Sequence, residues 1–323
     1  MRPVLAVLVG IAGLAAFGRG AAGDDDPFVD FKSPITNPVN FEDPRATSEI
    51  RPIYAHHHIS AQFANDALQQ GGVDIVALQL RYAINDRWAI IATKDGYVWL
   101  RPNHPIQGVV QHSDGWANIA FGAKYAFWRD AALRAMGTVG LRYEAPSGNA
   151  QGLQGPVFIN SSLGDRGNGS MNPFLSALWG TGDLHLMGYS GFRFPLSDVD
   201  TMFFDLSLHA DYTSPELTFA KPEWKIGTIS PTIELNWVQA LRSGDRIPLN
   251  AEGFDFFNLG SSNVAGTGVV TMGFGARWRF VDDLDIWGRR AGVDFGAAYE
   301  LPITNREWIF GWRVTTDLIF WMV

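Results

Sequence analysis

The chain has 323 residues, a formal net charge of −8 at pH 7 and no cysteine. This excludes disulfides, thiolate catalysis and cysteine-ligated zinc, and argues against nucleic acid as a partner. Charged residues make up only 18% of the chain, with 35 glycines, 22 phenylalanines and 12 tryptophans, and past the first 20 residues no stretch is long and apolar enough for a membrane-crossing helix. Such a composition suits a transmembrane barrel or a soluble all-β protein, and the strand faces decide between them.

Residues 1–23 read as a secretory signal: Arg2, an apolar run from Val4 to Phe17, then small residues at Ala21-Ala22-Gly23. Residues 24–50 are acidic and carry Pro27, Pro34, Pro38 and Pro44 without periodicity. They are expected to form an irregular N-terminal periplasmic arm, with a plug folded back into the lumen as the alternative.

From Arg51 to the end, residues 51–323, alternating segments predict a barrel. The first, Arg51 to Phe63, is poorly patterned around His56-His57-His58. Val73 to Ile84 is clear, with Val76, Leu78, Leu80 and Tyr82 on one face and Ala77, Gln79 and Arg81 on the other. Arg87 to Leu100 is apolar on both faces and broken at Asp95-Gly96, a bulge. Gly115 to Trp128 turns Lys124 inward. Leu133 to Ala145 does the same with Arg134, Thr138, Arg142 and Glu144. After a long glycine-rich loop come Ser170 to Gly180, Leu184 to Leu196 with His185, Tyr189 and Arg193 inward, and Thr201 to Thr213 with Asp205, Ser207, His209 and Asp211 inward. Lys225 to Ala240 places Glu234 inside, Gly266 to Phe280 places Arg277 and Arg279, and Arg289 to Leu301 places Asp294 and Glu300.

The terminal stretch, Glu307 to Val323, has the sharpest pattern. Trp308, Phe310, Trp312, Val314, Thr316, Leu318, Phe320 and Met322 share an uncharged face against Gly311, Arg313, Thr315 and Asp317. An apolar band with aromatic ends opposite a polar face is the signature of a bilayer-crossing strand. The segments number twelve, an even count, and their connections alternate roughly short and long. The fold class is therefore all-β: a transmembrane antiparallel up-and-down barrel of about 12 strands with periplasmic termini.

Gly115 to Trp128, followed by Val139 to Gly148, resembles an outer-membrane barrel family labelled "meta-pathway of phenol degradation". Gly122, Lys124 and Tyr125 match its glycine-lysine-tyrosine strand, and Pro146, Ser147 and Gly148 its turn corner. The resemblance continues through Leu178 to Phe194 and implies a porin-like outer-membrane protein for small, including organic, solutes. The aromatic C-terminal strand also looks like the signal read by the barrel assembly machinery. That signal usually ends in phenylalanine on the apolar face, whereas Val323 falls on the opposite face from Phe320 and Met322.

The expected pore-lining set is Arg81, Lys124, Arg134, Arg142, Glu144, Arg193, Asp205, His209, Asp211, Glu234, Arg277, Arg279, Asp294, Glu300, Arg313 and Asp317. Its acids and bases nearly balance, which argues against strong ion selectivity. Either they line a wetted path or they pair across strands and fill the barrel. His56 and His58 can share a face, but no third metal ligand has a recognisable spacing. His112-Ser113-Asp114 holds the residue types of a hydrolase triad in a loop, and His209 with Asp205 and Asp211 suits acid–base work. Asn160 and Asn168 sit in glycosylation-like triplets of a polar loop. The reading is passive passage of small solutes through a mixed-charge lumen in the outer membrane, with membrane lipid as surroundings and no cofactor, metal or catalytic residue. The alternatives are an outer-membrane lipid hydrolase and a closed barrel acting as scaffold or receptor.

Overall fold

The structure is a computed structural model describing residues 26–66, 68–105, 112–148, 151–153, 161–162, 169–218, 225–256, 258–286, 288–304 and 307–323. The signal segment and both glycosylation-like asparagines lie outside the described residues.

Period-two alternation becomes a closed sheet of twelve antiparallel strands. They are β1 (Ser48–Ile59), β2 (Gly71–Ala83), β3 (Trp88–Lys94 with Tyr97–Pro102), β4 (Ser113–Trp116 with Ile119–Asp130), β5 (Ala135–Ala145) and β6 (Ser170–Thr181). There follow β7 (Leu184–Pro195), β8 (Met202–Tyr212), β9 (Lys225–Arg242), β10 (Gly268–Asp285), β11 (Arg290–Pro302) and β12 (Phe310–Met322). Each strand pairs with its sequence neighbours. β12 returns to β1 with Ser48 opposite Met322 and His57 opposite Arg313, which closes the sheet and removes its edges. Both ends of the barrel wall and the short turns lie together at one end, periplasmic in the expected orientation.

The break at Asp95-Gly96 is real. β3 pairs with β2 on either side of it, and β4 is interrupted opposite, at Ala117-Asn118. Gly96 has a φ of +132°, open to glycine. Leu78 N donates to Asp95 Oδ1 at 2.9 Å, replacing the missing ladder bond. At Gly122 an added Cβ would run into the backbone oxygen of Leu141, so the motif glycine allows close approach of two strands.

Alternation also sets the faces. Ile90, Phe121, Val139, Leu141, Leu175, Leu208, Ile233 and Phe274 are exposed on the outer wall, with Trp88, Trp179, Tyr212, Trp278 and Phe320 towards the periplasmic end. A water-soluble protein has no reason to expose such a belt, whereas a membrane-crossing wall needs it. Leu208 lies on the strand between Phe204 and Tyr212 and is 50% exposed. Leu208→Arg is expected to lower unfolding stability in lipid vesicles by about 2–4 kcal/mol, the cost of a mid-membrane cation. Reversible urea unfolding measures it, and an unchanged midpoint would mean that this face does not meet hydrocarbon.

Two expectations change. Trp308 and Phe310, read as the start of the lipid face of the last strand, are fully buried with Ile309 in an apolar cluster inside the outer mouth. β12 begins only at Phe310, so the preceding segment is free to turn inward. The segment 26–47, read as a periplasmic arm, lies inside the barrel, buried along nearly all its length, and β1 starts at Ser48 rather than Arg51. The physical reason lies in how the arm's backbone is satisfied.

Candidate functional site in the arm-filled lumen

The arm enters at the periplasmic end. Asp26 pairs with Arg129 at 2.8 Å, and the Arg129 guanidinium lies over the Phe28 ring. Phe31 stacks on His185, with ring centroids 4.4 Å apart. The chain climbs to an apex at Asn37, whose φ of +49° reverses it, and Asn37 O accepts from Asn40 N and Phe41 N. It then returns past Glu42 and Asp43 to β1.

Its prolines forbid ladder or helix bonding, so the arm carries its own unpaired carbonyls into a dry space. The barrel supplies the donors. Arg277 and Arg51 donate to Pro34 O, Arg277 also to Ser33 O, and Gln79 to Pro38 O at 2.7 Å. Arg142 donates to Val39 O and Asn40 O, Thr138 to Pro44 O, and Arg279 to Val29 O. Charge does the rest. Arg81 forks onto Glu42 at 2.8 and 2.7 Å and also bonds Glu49. Lys124 donates to Glu42 Oε1 at 2.7 Å. In return, Glu234 accepts from the arm amides of Ile35 and Thr36, both at 2.8 Å, and from the Thr36 hydroxyl.

The outer mouth is sealed from the other side. Residues 251–256, between β9 and β10, fold inward. Asp255 takes two 2.7 Å bonds from Arg313, and Phe254 O accepts from Arg193 at 3.0 Å. Glu252 anchors this loop, accepting from Thr201 Oγ1, Leu259 N and Ser261 N. Burial pushes its carboxyl up, against the bonds that favour the anion. Phe254, Phe256, Trp308 and Phe310 pack with Val39, Ile75, Val98, Phe203 and Val238. The interior thus has an apolar outer part above a charged, arm-filled inner part.

Of the sixteen residues expected to line a pore, all but Arg134 are buried inside the wall. Arg134 sits in the β4–β5 turn at the periplasmic rim, where it donates to Gly182 O at 2.7 Å. The others touch the arm, the inward loop or each other. Arg193 forks onto Asp205 and Arg279 onto Asp294, both on neighbouring strands. Asp317 takes Arg277 and Arg51, Glu300 takes Arg313, and Glu144 takes Lys94. Arg51, Lys94, Glu42, Asp43 and Asp255 were not among the expected residues. The best-formed cavities among the described residues hold about 20–30 Å³, room for a water. One of about 20 Å³ lies behind the wall break, lined by Ile53, Ile75, Ala77, Val98, Ala117 and Phe256.

The catalytic candidates separate. His112 bonds Pro102 O, and Asp114 bonds the Tyr97 hydroxyl. His209 bonds Asp211 and Glu234, while Asp205 is held by Arg193. In the histidine run, His57 points inward against Phe310, whereas His56 bonds Asp74 and His58 stacks on Trp312. Among the described residues no group of three or more histidine or carboxylate side chains is placed to hold a metal ion.

Fold and site together define a transmembrane barrel whose interior is filled by its own N-terminal segment. No family model matches the chain, and no curated protein matches it. Among solved structures it is similar to an outer membrane channel from Pseudomonas putida F1, at 12% identity and a TM-score of 0.47, covering 87% of this chain and 97% of that one. It is also similar to the beta domain of the Bordetella autotransporter BrkA (13% identity, TM-score 0.40, 86% and 99% covered). A third is a Pseudomonas aeruginosa FadL homologue (12% identity, TM-score 0.37, 95% of each chain covered). Likenesses at this level concern barrel architecture, and function has to be argued from the interior.

Proposed function

We infer that the protein is an outer-membrane channel for small solutes, closed in this state by its N-terminal arm and, at the outer mouth, by the inward loop 251–256. One observation carries the reading: the lumen is filled by a separate segment held through noncovalent polar bonds, not by the wall's own side chains. A wall meant to be solid needs no such insert. Among the described residues Asn37 Oδ1 and Asn40 Nδ2, at the apex, have no hydrogen-bond partner, although Asn37 Nδ2 donates to Ser207 and Arg142 holds Val39 O and Asn40 O. Removing the arm would leave its donors and carboxylates facing water, giving a mixed-charge path. The apolar outer interior favours small organic solutes over ions.

The test is single-channel conductance in planar bilayers of the intact barrel and of a variant lacking both residues 26–44 and the inward residues 251–256, so that neither closure remains. The variant is expected to conduct steadily and the intact protein to be mostly silent. A folded doubly deleted barrel that passes no ions would sink the channel reading and leave the scaffold.

The cavity behind Asp95-Gly96 favours a second exit for apolar solutes, sideways through the wall. Ala77→Val, which narrows this cavity with two added methyl groups, is then expected to reduce uptake of a small aromatic solute into vesicles severalfold. Equal uptake would confine passage to the axis.

A further inference from the structure

A buried chain of four titratable groups runs from the periplasmic rim to the arm. His185 Nδ1 donates to Asp211 Oδ1 at 2.9 Å, and its Nε2 faces the Arg134 guanidinium at 3.3 Å. A guanidinium only donates, so His185 Nε2 is the acceptor of that contact. His209 differs. Its Nε2 meets Asp211 Oδ2 at 3.1 Å and its Nδ1 meets Glu234 Oε1 at 2.9 Å. Between two carboxylates both ring nitrogens must donate, so His209 is an imidazolium. Glu234 uses its remaining capacity on the arm: Ile35 N on one oxygen, Thr36 N and Thr36 Oγ1 on the other.

We propose that Glu234, held ionised by His209, is an acid-sensitive latch on the arm. This rests on the reading of the arm as the gate. The carboxylate accepts arm bonds on both oxygens. Once it takes a proton, one oxygen becomes a donor and a much weaker acceptor, so the charge-assisted bond to one buried arm amide is lost. The same proton cancels the ion pair with His209. The other charges facing this centre are Asp211 on β8, Arg277 on β10, Lys32 of the arm near Asp211, and Glu300 on β11, reached through Asn236. The cations among them and the imidazolium favour the anion, so the latch holds at neutral pH and opens in acid.

The measurement is amide hydrogen exchange of the peptide covering residues 34–40 in the full-length protein in lipid vesicles, from pH 4 to 8, corrected for intrinsic exchange. The wild type is expected to be protected at pH 7 and to lose protection in acid. His209→Gln removes the cation beside Glu234, so the midpoint of release should rise by about one to three pH units. Thr36→Val, which removes the hydroxyl's bond to Glu234 and its acceptance from Asn236 Nδ2, should raise it by less. Glu234→Gln should be at least tenfold less protected than wild type at pH 7, with the acid step gone. Against their burial, Arg81 and Lys124 hold the Glu42 carboxyl down at about 2 and Arg45 holds Asp43 lower than usual, so both stay ionised over this range. Equal midpoints in wild type, His209→Gln and Thr36→Val would overturn the latch, as would wild-type protection in Glu234→Gln. A conducting doubly deleted barrel together with a pH-insensitive arm removes the latch alone. A pH-responsive arm together with a silent doubly deleted barrel removes the channel and keeps the latch.

Discussion

Replacing Arg313 with methionine is expected to cost the barrel about 3–5 kcal/mol, the range for removing one partner of a buried ion pair. Arg313 is fully buried and bridges two carboxylates from different places, Asp255 of the inward loop and Glu300 of β11. Methionine fills similar volume, so the loss is electrostatic. Glu300 keeps bonds from Thr271 and Asn236, but Asp255 loses both of its 2.7 Å bonds. The loop then has reason to leave the mouth, taking Phe254 and Phe256 with it. Reversible urea unfolding in vesicles gives the energy. Adding Asp255→Asn and Glu300→Gln should recover most of the loss, because neutralising both sides removes the stranded charge. Arg290→Met, at an exposed pair with Asp282, should cost less than about 1 kcal/mol. If Arg313→Met cost no more than that, the mouth would be wet and the loop unseated.

The wall was legible in the sequence because a strand's alternation is local. Apart from the first segment and the third, which is apolar on both sides, each segment shows its faces by itself, and the Asp95-Gly96 interruption is visible as a break in pattern. β1 was blurred because Pro44 and Pro52 flank its true start, hiding Glu49 and Arg51, which point inward. Trp308 continues the alternation of β12 into a segment that has left the sheet, and Phe310 is turned inward by a register shift between its partner Ile59 and the His58–Trp312 pair; periodicity alone marks neither. The arm's destination was not legible, since no periodic signal says where an irregular segment goes. Yet a signal existed: an acidic, proline-rich arm beside a wall carrying eight inward bases. Each arginine has five N–H donors, more than one cross-strand carboxylate uses, and the remainder can satisfy bare carbonyls such as Pro34 O. The pairing of His209 was half legible. Asp211 sits two residues away on the same face, but Glu234 lies on the next strand, where only the register joins them.

Arg81→Met tests whether the arm is seated as the structure places it. Arg81 is buried, with Glu42 of the arm on one side and Glu49 of β1 on the other. Its loss leaves Glu49 without that cation and Glu42 with Lys124 alone, so about 3–5 kcal/mol of stability should go. Stability alone would not separate the wall contact from the arm contact, but a double-mutant cycle does. Arg81→Met, Glu42→Gln and the double variant are compared by urea unfolding in vesicles. If the arm occupies the lumen, the two changes are coupled by roughly 0.5–3 kcal/mol, because removing Glu42 also removes part of what Arg81 was holding. If the arm spends its time in the periplasm, Glu42 meets water, its substitution is nearly silent, and the coupling is zero. The cycle with Glu49→Gln supplies the scale, since that pair joins two adjacent strands and persists wherever the arm goes. Coupling to Glu49 without coupling to Glu42 would return the arm to the periplasm and leave the lumen open.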